Sequence, residues 1–324
     1  MEAMYYEKLE DNMVKCHLCP HGCTISEGNV GVCKVRKNIE GTLISLNYGK
    51  HTSYAYDKIE KKPLYHFYPG SNIFSIGSFG CNLACDFCQN WEIAQQKSLT
   101  MEIEDDDILL LGKSRGSIGI AYTYNEPSIS YEYVYHMSRL AKRRGLKNVL
   151  VTNGYINEEP LKELLPYIDA MNIDLKSMDD NFYKNICKGS LQPVLKTIQL
   201  ASKYTHVEIT NLVIERKNSS PEEIHRLAEW IANIDKGIPL HLTKYFPAYK
   251  MKLSETKYEV LTAAKKIAEE YLDYVYIGNV WGIDNNTYCP NCHNELIRRY
   301  HDGEVTGIKD KKCTSCGEKL NILY

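Results

Sequence analysis

Three cysteines near the first third of the chain stand at a spacing that suits iron. In the stretch G-C-N-L-A-C-D-F-C-Q-N-W (80–91), Cys81, Cys85 and Cys88 follow C-x3-C-x2-C, with the aromatic Phe87 directly before the third. Four cysteines normally close a [4Fe–4S] cluster. Three hold only three of its irons and leave the fourth open to a chelating ligand. The competing reading is a zinc knuckle, for which C-x2-C is the usual spacing. An x3 gap, only three cysteines and an apolar neighbour fit zinc poorly.

The remaining cysteines strengthen a metal reading. Of the 12, four lie at Cys16, Cys19, Cys23 and Cys33, and four at Cys289, Cys292, Cys313 and Cys316, which leaves Cys187 alone. A disulfide framework does not need such a partition, and the start M-E-A-M-Y-Y-E-K lacks the basic-then-apolar order of a secretion signal. The terminal set, C-x2-C-x20-C-x2-C, reads as a zinc ribbon, with a turn at 302–304 joining a hairpin between the knuckles. Arg298 and Arg299 in that segment fit a solvated strand edge better than a nucleic-acid contact. The first set, C-x2-C-x3-C-x9-C with Gly22, Gly28 and Gly31 among its ligands, suits zinc or a second iron–sulfur cluster. The frequency of structural zinc favours zinc there. His17 and His21 then flank a complete tetrahedron as outer or surface residues.

Composition narrows the class of protein. The chain has 324 residues, 44% hydrophobic and 25% charged, with a formal net charge of −2. That is a globular balance, without a general field to draw nucleic acid or an anionic membrane. The longest aliphatic run, 108–111, is far too short to span a bilayer. A cytoplasmic protein is expected.

Something must position the three central cysteines, and the middle of the chain supplies it. Apolar runs at 72–77, 118–123, 147–152, 170–175, 206–213, 240–245 and 274–278 read as strands, separated by amphipathic stretches such as 128–144, 220–233 and 256–271. Ser220-Pro221-Glu222-Glu223 is a capping box with proline at the first helical position. Repeated βα units call for a parallel sheet coated by helices. Six units are too few for a closed eight-stranded barrel. The expected fold is α/β: a partial, open TIM-like (β/α)6 barrel over 67–284. An N-terminal four-cysteine module (1–66) and a C-terminal zinc-ribbon module (285–324) flank it.

In parallel α/β folds, ligands sit at the carboxyl ends of the strands. The unusual residues of this chain fall there. The cluster loop follows the first strand, Tyr124-Asn125-Glu126-Pro127 the second, Asn153-Gly154 the third and Asp174-Leu175-Lys176 the fourth, while Asn211 lies near the end of the fifth. Singly, each has a plain alternative: a turn, a solvated ion pair, a helix cap. Their recurrence at successive strand ends points to one site.

The C-x3-C-x2-C stretch resembles the signature of the radical S-adenosylmethionine (SAM) superfamily. Tyr124-Asn125-Glu126-Pro127 is similar to that superfamily's G-G-E-P motif, with Tyr and Asn in place of the glycines. The resemblance implies a cluster whose open iron takes the amine and carboxylate of SAM, and reductive cleavage of SAM to a 5′-deoxyadenosyl radical. It also implies Glu126 as partner of the SAM ammonium, Asn125 beside it, and Phe87 packed beside adenine. Asn153, Asp174 and Lys176 are left for the ribose hydroxyls and the methionyl carboxylate, as D-L-K is in glycyl-radical-enzyme activating enzymes. C-H-L-C-P-H-G-C (16–23), I-E-K-K-P-L-Y-H-F-Y-P-G (59–70), Y-T-Y-N-E-P (122–127), F-P-A-Y-K-M (246–251) and the terminal ribbon together resemble the radical SAM enzyme of the AmmeMemoRadiSam system. That resemblance implies Memo-family and AMME-family partners and a low-potential electron donor of the flavodoxin or ferredoxin type. Two other readings compete: an activating enzyme for a glycyl-radical enzyme, and a non-catalytic protein that senses SAM or redox state.

Overall fold

Runs rich in Ile, Val and Leu are buried on both faces when they stand between a lumen and a helical coat. In the computed structural model, which describes residues 1–96, 98–299 and 303–324, such runs build one eight-stranded sheet. Its strands are β1 (Ser53–Lys58), β2 (Asn72–Gly77), β3 (Ser117–Tyr122), β4 (Lys147–Thr152), β5 (Ala170–Asp174), β6 (His206–Val213), β7 (Leu240–Lys244) and β8 (Val275–Gly278). Strands β2 to β8 are parallel neighbours in chain order. The two edges, β1 and β8, are not paired with each other, so the barrel is open. Its seven parallel strands are joined by six crossovers, in line with the expected partial barrel. The eighth strand is a difference: residues 53–58, read from the sequence as part of the N-terminal module, pair antiparallel with β2.

The crossovers carry α1 (Asp105–Lys113), α2 (Tyr131–Arg143), α3 (Glu158–Leu164), α4 (Leu191–Ala201), α5 (Pro221–Asp235) and α6 (Tyr258–Ala268). Helix α5 begins as its sequence dictates, with Ser220 Oγ accepting the Glu223 N–H at 3.3 Å. Helix α2 starts later than the 128–144 pattern suggests. Residues Pro127–Ser130 form a 3-10 turn, because the Glu126 carboxylate caps the Ser128 N–H at 2.9 Å. The helix ends before Gly145, whose φ of +73° suits a residue without Cβ.

The floor of the barrel is filled by the segment 59–70. Ile59, Leu64 and Phe67 pack on Ile73, Ala121, Val149 and Ala170 from the lower lumen, and Asn172 Nδ2 donates to the Pro63 carbonyl at 2.8 Å. Beside them lies the wholly buried Glu208 of β6. Its two oxygens accept from the Tyr65 and His66 N–H groups at 2.9 and 2.7 Å, and from Nε2 of His206 and His241 at 3.0 and 2.6 Å. Burial alone would raise this carboxyl's pKa, but the two imidazoles outweigh it and hold the value well below the usual range. His66, buried against Tyr274 and Tyr276, is pushed down to about 3 by desolvation.

These shifts fix the sign of a pH effect. Unfolding lets His66 take up a proton below its ordinary value of 6.5, and lets Glu208 do so below 4.5. Stability is therefore lost first as pH falls through 6.5 and then more steeply below 4.5. Glu208→Gln removes the lower stage, keeps the upper one, and costs ~3–5 kcal/mol near neutrality through the unmatched donors it leaves. Melting curves across pH 3–8 check this, and a variant that melts with the wild type at pH 7 contradicts it.

The two flanking modules lock onto this frame. The first holds a small sheet of Tyr6–Lys8, Val14–Cys16 and Thr24–Ile25 and a hairpin of Arg36–Ile39 with Thr42–Ser45. In the last, Glu295–Arg298 pairs with Thr287–Tyr288 and with Glu304–Val305. Asp302 of the expected turn lies outside the described residues. Arg299 does not lie on a solvated edge. Its guanidinium reaches the Tyr65 carbonyl at 2.6 Å and Thr287 Oγ1 at 2.7 Å, and its charge sits over the Tyr65 and Tyr276 rings. Register explains this: one residue past the strand, it turns toward the barrel floor. Leu323 completes the seam, donating its N–H to the His66 carbonyl at 2.9 Å.

Candidate active site

The cluster loop leaves β2 through Gly80, and its geometry follows from crowding. Gly80 has a φ of +87°, and a Cβ there would stand 2.7 Å from the Cys33 carbonyl and 2.6 Å from Val35 Cγ1. Only glycine lets the N-terminal module close on the loop. Past it, the loop's backbone is held from several sides. Ala84 and Asp86 donate to the Cys187 and Ile186 carbonyls at 2.9 and 3.1 Å, and Asn82 Nδ2 donates to the Tyr155 carbonyl at 2.6 Å. His21 Nε2 meets the Asn82 carbonyl at 2.7 Å. The solitary Cys187 thus has a place. It is buried behind the loop, and its proximity to Cys85 pulls that pKa down. Burial instead pushes the Cys81 thiol well up, and the Cys88 thiol to about 11. Binding of a metal here would release those protons.

Cys81, Cys85 and Cys88 open onto a cavity of about 390 Å³ at the carboxyl ends of the strands. Phe87, Asn125, Glu126, Asn153, Asp174 and Lys176 line the same cavity. The geometry thus brings together the three cysteines and each residue given a SAM contact, whereas Asn211 stays outside. That residue points the other way on β6. Thr210 and Leu212 face the cavity, so alternation turns Asn211 outward, where its Nδ2 donates to the Leu175 carbonyl at 2.7 Å.

Glu126 is buried and already well supplied with donors. Oε1 accepts from Ser128 N and Thr152 Oγ1, at 2.9 and 2.7 Å, and Oε2 from Asn153 N at 2.8 Å. Burial raises its pKa while these bonds oppose the rise. Oε2, with a single partner, keeps acceptor capacity toward the cavity. Asn125 and Asn153 use their amides as braces. Asn125 accepts from Ser78 N at 2.8 Å and donates to the Gly80 carbonyl at 3.2 Å, tying the Tyr124–Pro127 turn to the cluster loop. Asn153 accepts from Tyr155 N at 2.8 Å and donates to Asn82 Oδ1 at 2.9 Å and Cys81 Sγ at 3.6 Å. Asp174 Oδ2 and Lys176 Nζ form an ion pair at 3.0 Å, with the ammonium 5.7 Å from the centre of the Phe87 ring. Burial would lower the Lys176 pKa, but the negative charges of Asp174 and of Cys85 as a thiolate outweigh it and hold it well above the lysine norm.

Other lining residues escaped the sequence reading. Lys61 and Lys62 rise from the floor segment into the cavity, and Thr210 and Thr243 supply hydroxyl groups. Lys62 is buried, bonds Asp57 Oδ2 at 2.8 Å, and lies 4.8 Å from the Tyr124 ring centre. The adjacent lysines before Pro63 were the available signal.

The terminal cysteines make a compact set. Cys289 and Cys316 bring their sulfurs to 3.6 Å, Cys292 and Cys313 to 3.7 Å, and all four lie within 4.8 Å of one another. A metal fits there. No helix among the described residues is long and apolar enough to cross a membrane.

Comparison with known proteins bears on the whole chain. The model of the Radical SAM superfamily matches residues 75–238. The chain is 44% identical to an uncharacterized protein of Methanocaldococcus jannaschii, over 99% of each. It is 27% identical to the pyruvate formate-lyase-activating enzyme of Clostridium pasteurianum, over 59% of this chain and 80% of that one. Among solved structures, Streptococcus suis SuiB has a TM-score of 0.50 at 15% identity, over 65% of this chain and 48% of that one, a likeness of fold alone.

Proposed function

This chain belongs to the radical SAM superfamily, and from that premise we propose that it is the radical SAM enzyme of an AmmeMemoRadiSam system, abstracting hydrogen from a substrate held at the barrel mouth. One observation carries the reading: the three cysteines share a cavity with a buried carboxylate and an Asp–Lys pair. The donor set fits the group. Cys81, Cys85 and Cys88 would hold three irons, leaving the fourth for the amine and carboxylate of SAM. When bound and reduced, the cluster supplies the electron that splits SAM into methionine and a 5′-deoxyadenosyl radical.

The chain's own groups bind and orient. Glu126 Oε2 accepts an N–H of the SAM amine, made more acidic by the iron that holds it, and Lys176 offers its cation to the methionyl carboxylate. Asp174, with Oδ2 on Lys176, presents its other oxygen to the ribose. Phe87 gives the adenine an apolar wall. Asn125 and Asn153 hold the cluster loop in register with Glu126. The filled floor keeps water from entering from below.

In this reading, residues 1–66 cap the cluster loop and lend β1 to the barrel, 67–284 carry the chemistry, and 285–324 form a zinc ribbon. The protein works in the cytoplasm with a flavodoxin or ferredoxin as electron donor and with Memo-family and AMME-family partners. Similarity to pyruvate formate-lyase-activating enzymes favours a second reading, in which the hydrogen comes from a glycine of a partner protein. Anaerobically reconstituted protein, given dithionite and SAM, should release 5′-deoxyadenosine, and faster with the Memo and AMME partners present. A glycyl-radical signal on a partner would select the second reading. No 5′-deoxyadenosine from cluster-replete, reduced protein would leave only a SAM or redox sensor.

A further inference from the structure

The N-terminal cysteines are spread too widely for the zinc that their spacing favours. Cys16, Cys19, Cys23 and Cys33 line one small cavity whose other walls are apolar apart from Arg36. The terminal ribbon provides a measure within the same molecule. A tetrahedral zinc with Zn–S bonds of ~2.3 Å sets its sulfurs about 3.8 Å apart, and the ribbon's sulfurs stand at 3.6 and 3.7 Å. Among the described residues, no three of the N-terminal sulfurs lie within 4.8 Å of one another, nor do those of Cys81, Cys85 and Cys88 together. In a [4Fe–4S] cube the irons stand between the centre and the thiolates and push the sulfurs apart. The N-terminal four thus stand with the central set, and apart from the ribbon, in not closing to within 4.8 Å.

Arg36 adds an independent mark. It is 1% exposed, donates through Nη1 to the Met4 carbonyl at 2.9 Å and through Nη2 to Glu132 Oε1 at 2.5 Å. Its Nε–H is buried with no partner among the described residues. A buried donor left over beside four cysteines suits the sulfides of a cluster, which accept such bonds. Zinc-bound thiolates accept N–H bonds as well, so this donor marks a sulfur-rich centre, and the spread of the sulfurs is what favours a cluster over zinc.

We propose that Cys16, Cys19, Cys23 and Cys33 hold a second [4Fe–4S] cluster that passes electrons to the one at Cys81, Cys85 and Cys88. Four thiolates saturate all four irons, so this cluster has no open position for SAM or substrate and is left with electron transfer. Its protein shell touches the central loop on both sides of Cys81. The Cys33 carbonyl stands against Gly80, and His21, two residues after Cys19, bonds the Asn82 carbonyl at 2.7 Å. A low-potential one-electron carrier gives up one electron, the N-terminal cluster takes it and hands it on, and no bond or proton changes place. The relay rests on the function proposed above; the identity of the N-terminal metal does not.

The test is metal analysis and electron paramagnetic resonance on anaerobically reconstituted full-length protein. Wild type should carry roughly eight iron atoms and one zinc, and the Cys81/85/88→Ala variant roughly four of each of iron and sulfide, still with one zinc. Two zinc atoms and only about four irons in wild type, or a colourless triple variant with two zinc atoms, overturns the second cluster. Fully reduced wild type should give a signal broadened by coupling between two spins, which the triple variant lacks. A spectrum that is the plain sum of two isolated clusters overturns the relay while leaving the metal assignment standing. The wild-type counts decide the assignment even where the triple variant fails to fold.

Discussion

Replacing Cys81, Cys85 and Cys88 together by alanine should reduce 5′-deoxyadenosine formation to the level of a protein-free blank. The expectation follows from division of labour: the cluster carries the chemistry, and no other part of the cavity supplies an electron. The fold should survive the change. The loop's path is set by Gly80, Asn82, Ala84 and Asp86, whose bonds to Ile93, Tyr155, Cys187 and Ile186 do not involve the three sulfurs. Zinc content should stay with the ribbon, more than 200 positions away in the chain and at the opposite end of the barrel. Circular dichroism and zinc analysis verify that the protein is intact, and chromatographic assay of the nucleoside reads the loss. A folded variant that still cleaves SAM would show that the cluster lies elsewhere.

The second large effect concerns Glu126. As partner of the SAM amine its charge is desolvated and specific, and losing it should weaken SAM binding by ~2–5 kcal/mol, roughly thirtyfold or more. As a helix cap alone it would matter little to SAM. The structure shows that stability cannot separate these roles. Its oxygens accept from Ser128, Thr152 and Asn153. In Glu126→Gln an amide donor must therefore face one of three donors, at a cost of ~1–3 kcal/mol in folding whichever role is right. Affinity does separate them. Equilibrium dialysis of SAM against wild type and variant with matched cluster content is the measurement. Equal affinities would return Glu126 to bracing the turn between β3 and α2.

The parts of this architecture that were legible in the sequence are those encoded locally. Strands buried on both faces announce themselves as apolar runs, and α5 carries its own start in Ser220 and Pro221. The strand-end rule then gathered Glu126, Asn153, Asp174 and Lys176 around the cysteines, because alternation along a parallel strand leaves few places for polar residues. The rule failed at Asn211 by one residue of phase, which reverses the direction of a side chain. What stayed hidden depends on distant partners. Nothing local to Cys187 says that it backs Cys85, and nothing local to Arg299 says that it lies over Tyr65. The segment 59–70 reads as a loop until the lumen it fills exists. Side-chain spacing in the N-terminal quartet is likewise a property of the folded module and cannot be counted from C-x2-C-x3-C-x9-C.

The seam between the ribbon and the barrel floor has a thermodynamic consequence. The ribbon's own core is small, built from Leu296, Ile297, Leu320 and Ile322 around Cys289 and Cys313, so an ion held by its four cysteines would supply much of its order. By mass action, such an ion favours every state that contains the intact site, by an amount that grows with its free concentration. Arg299 and Leu323 extend that site into the contacts of Tyr65 and His66, which close the barrel from beneath. An ion bound at one end of the molecule would thereby enter the equilibrium that keeps the other end assembled, and its shortage would lower the fraction of chains whose cavity is fully formed.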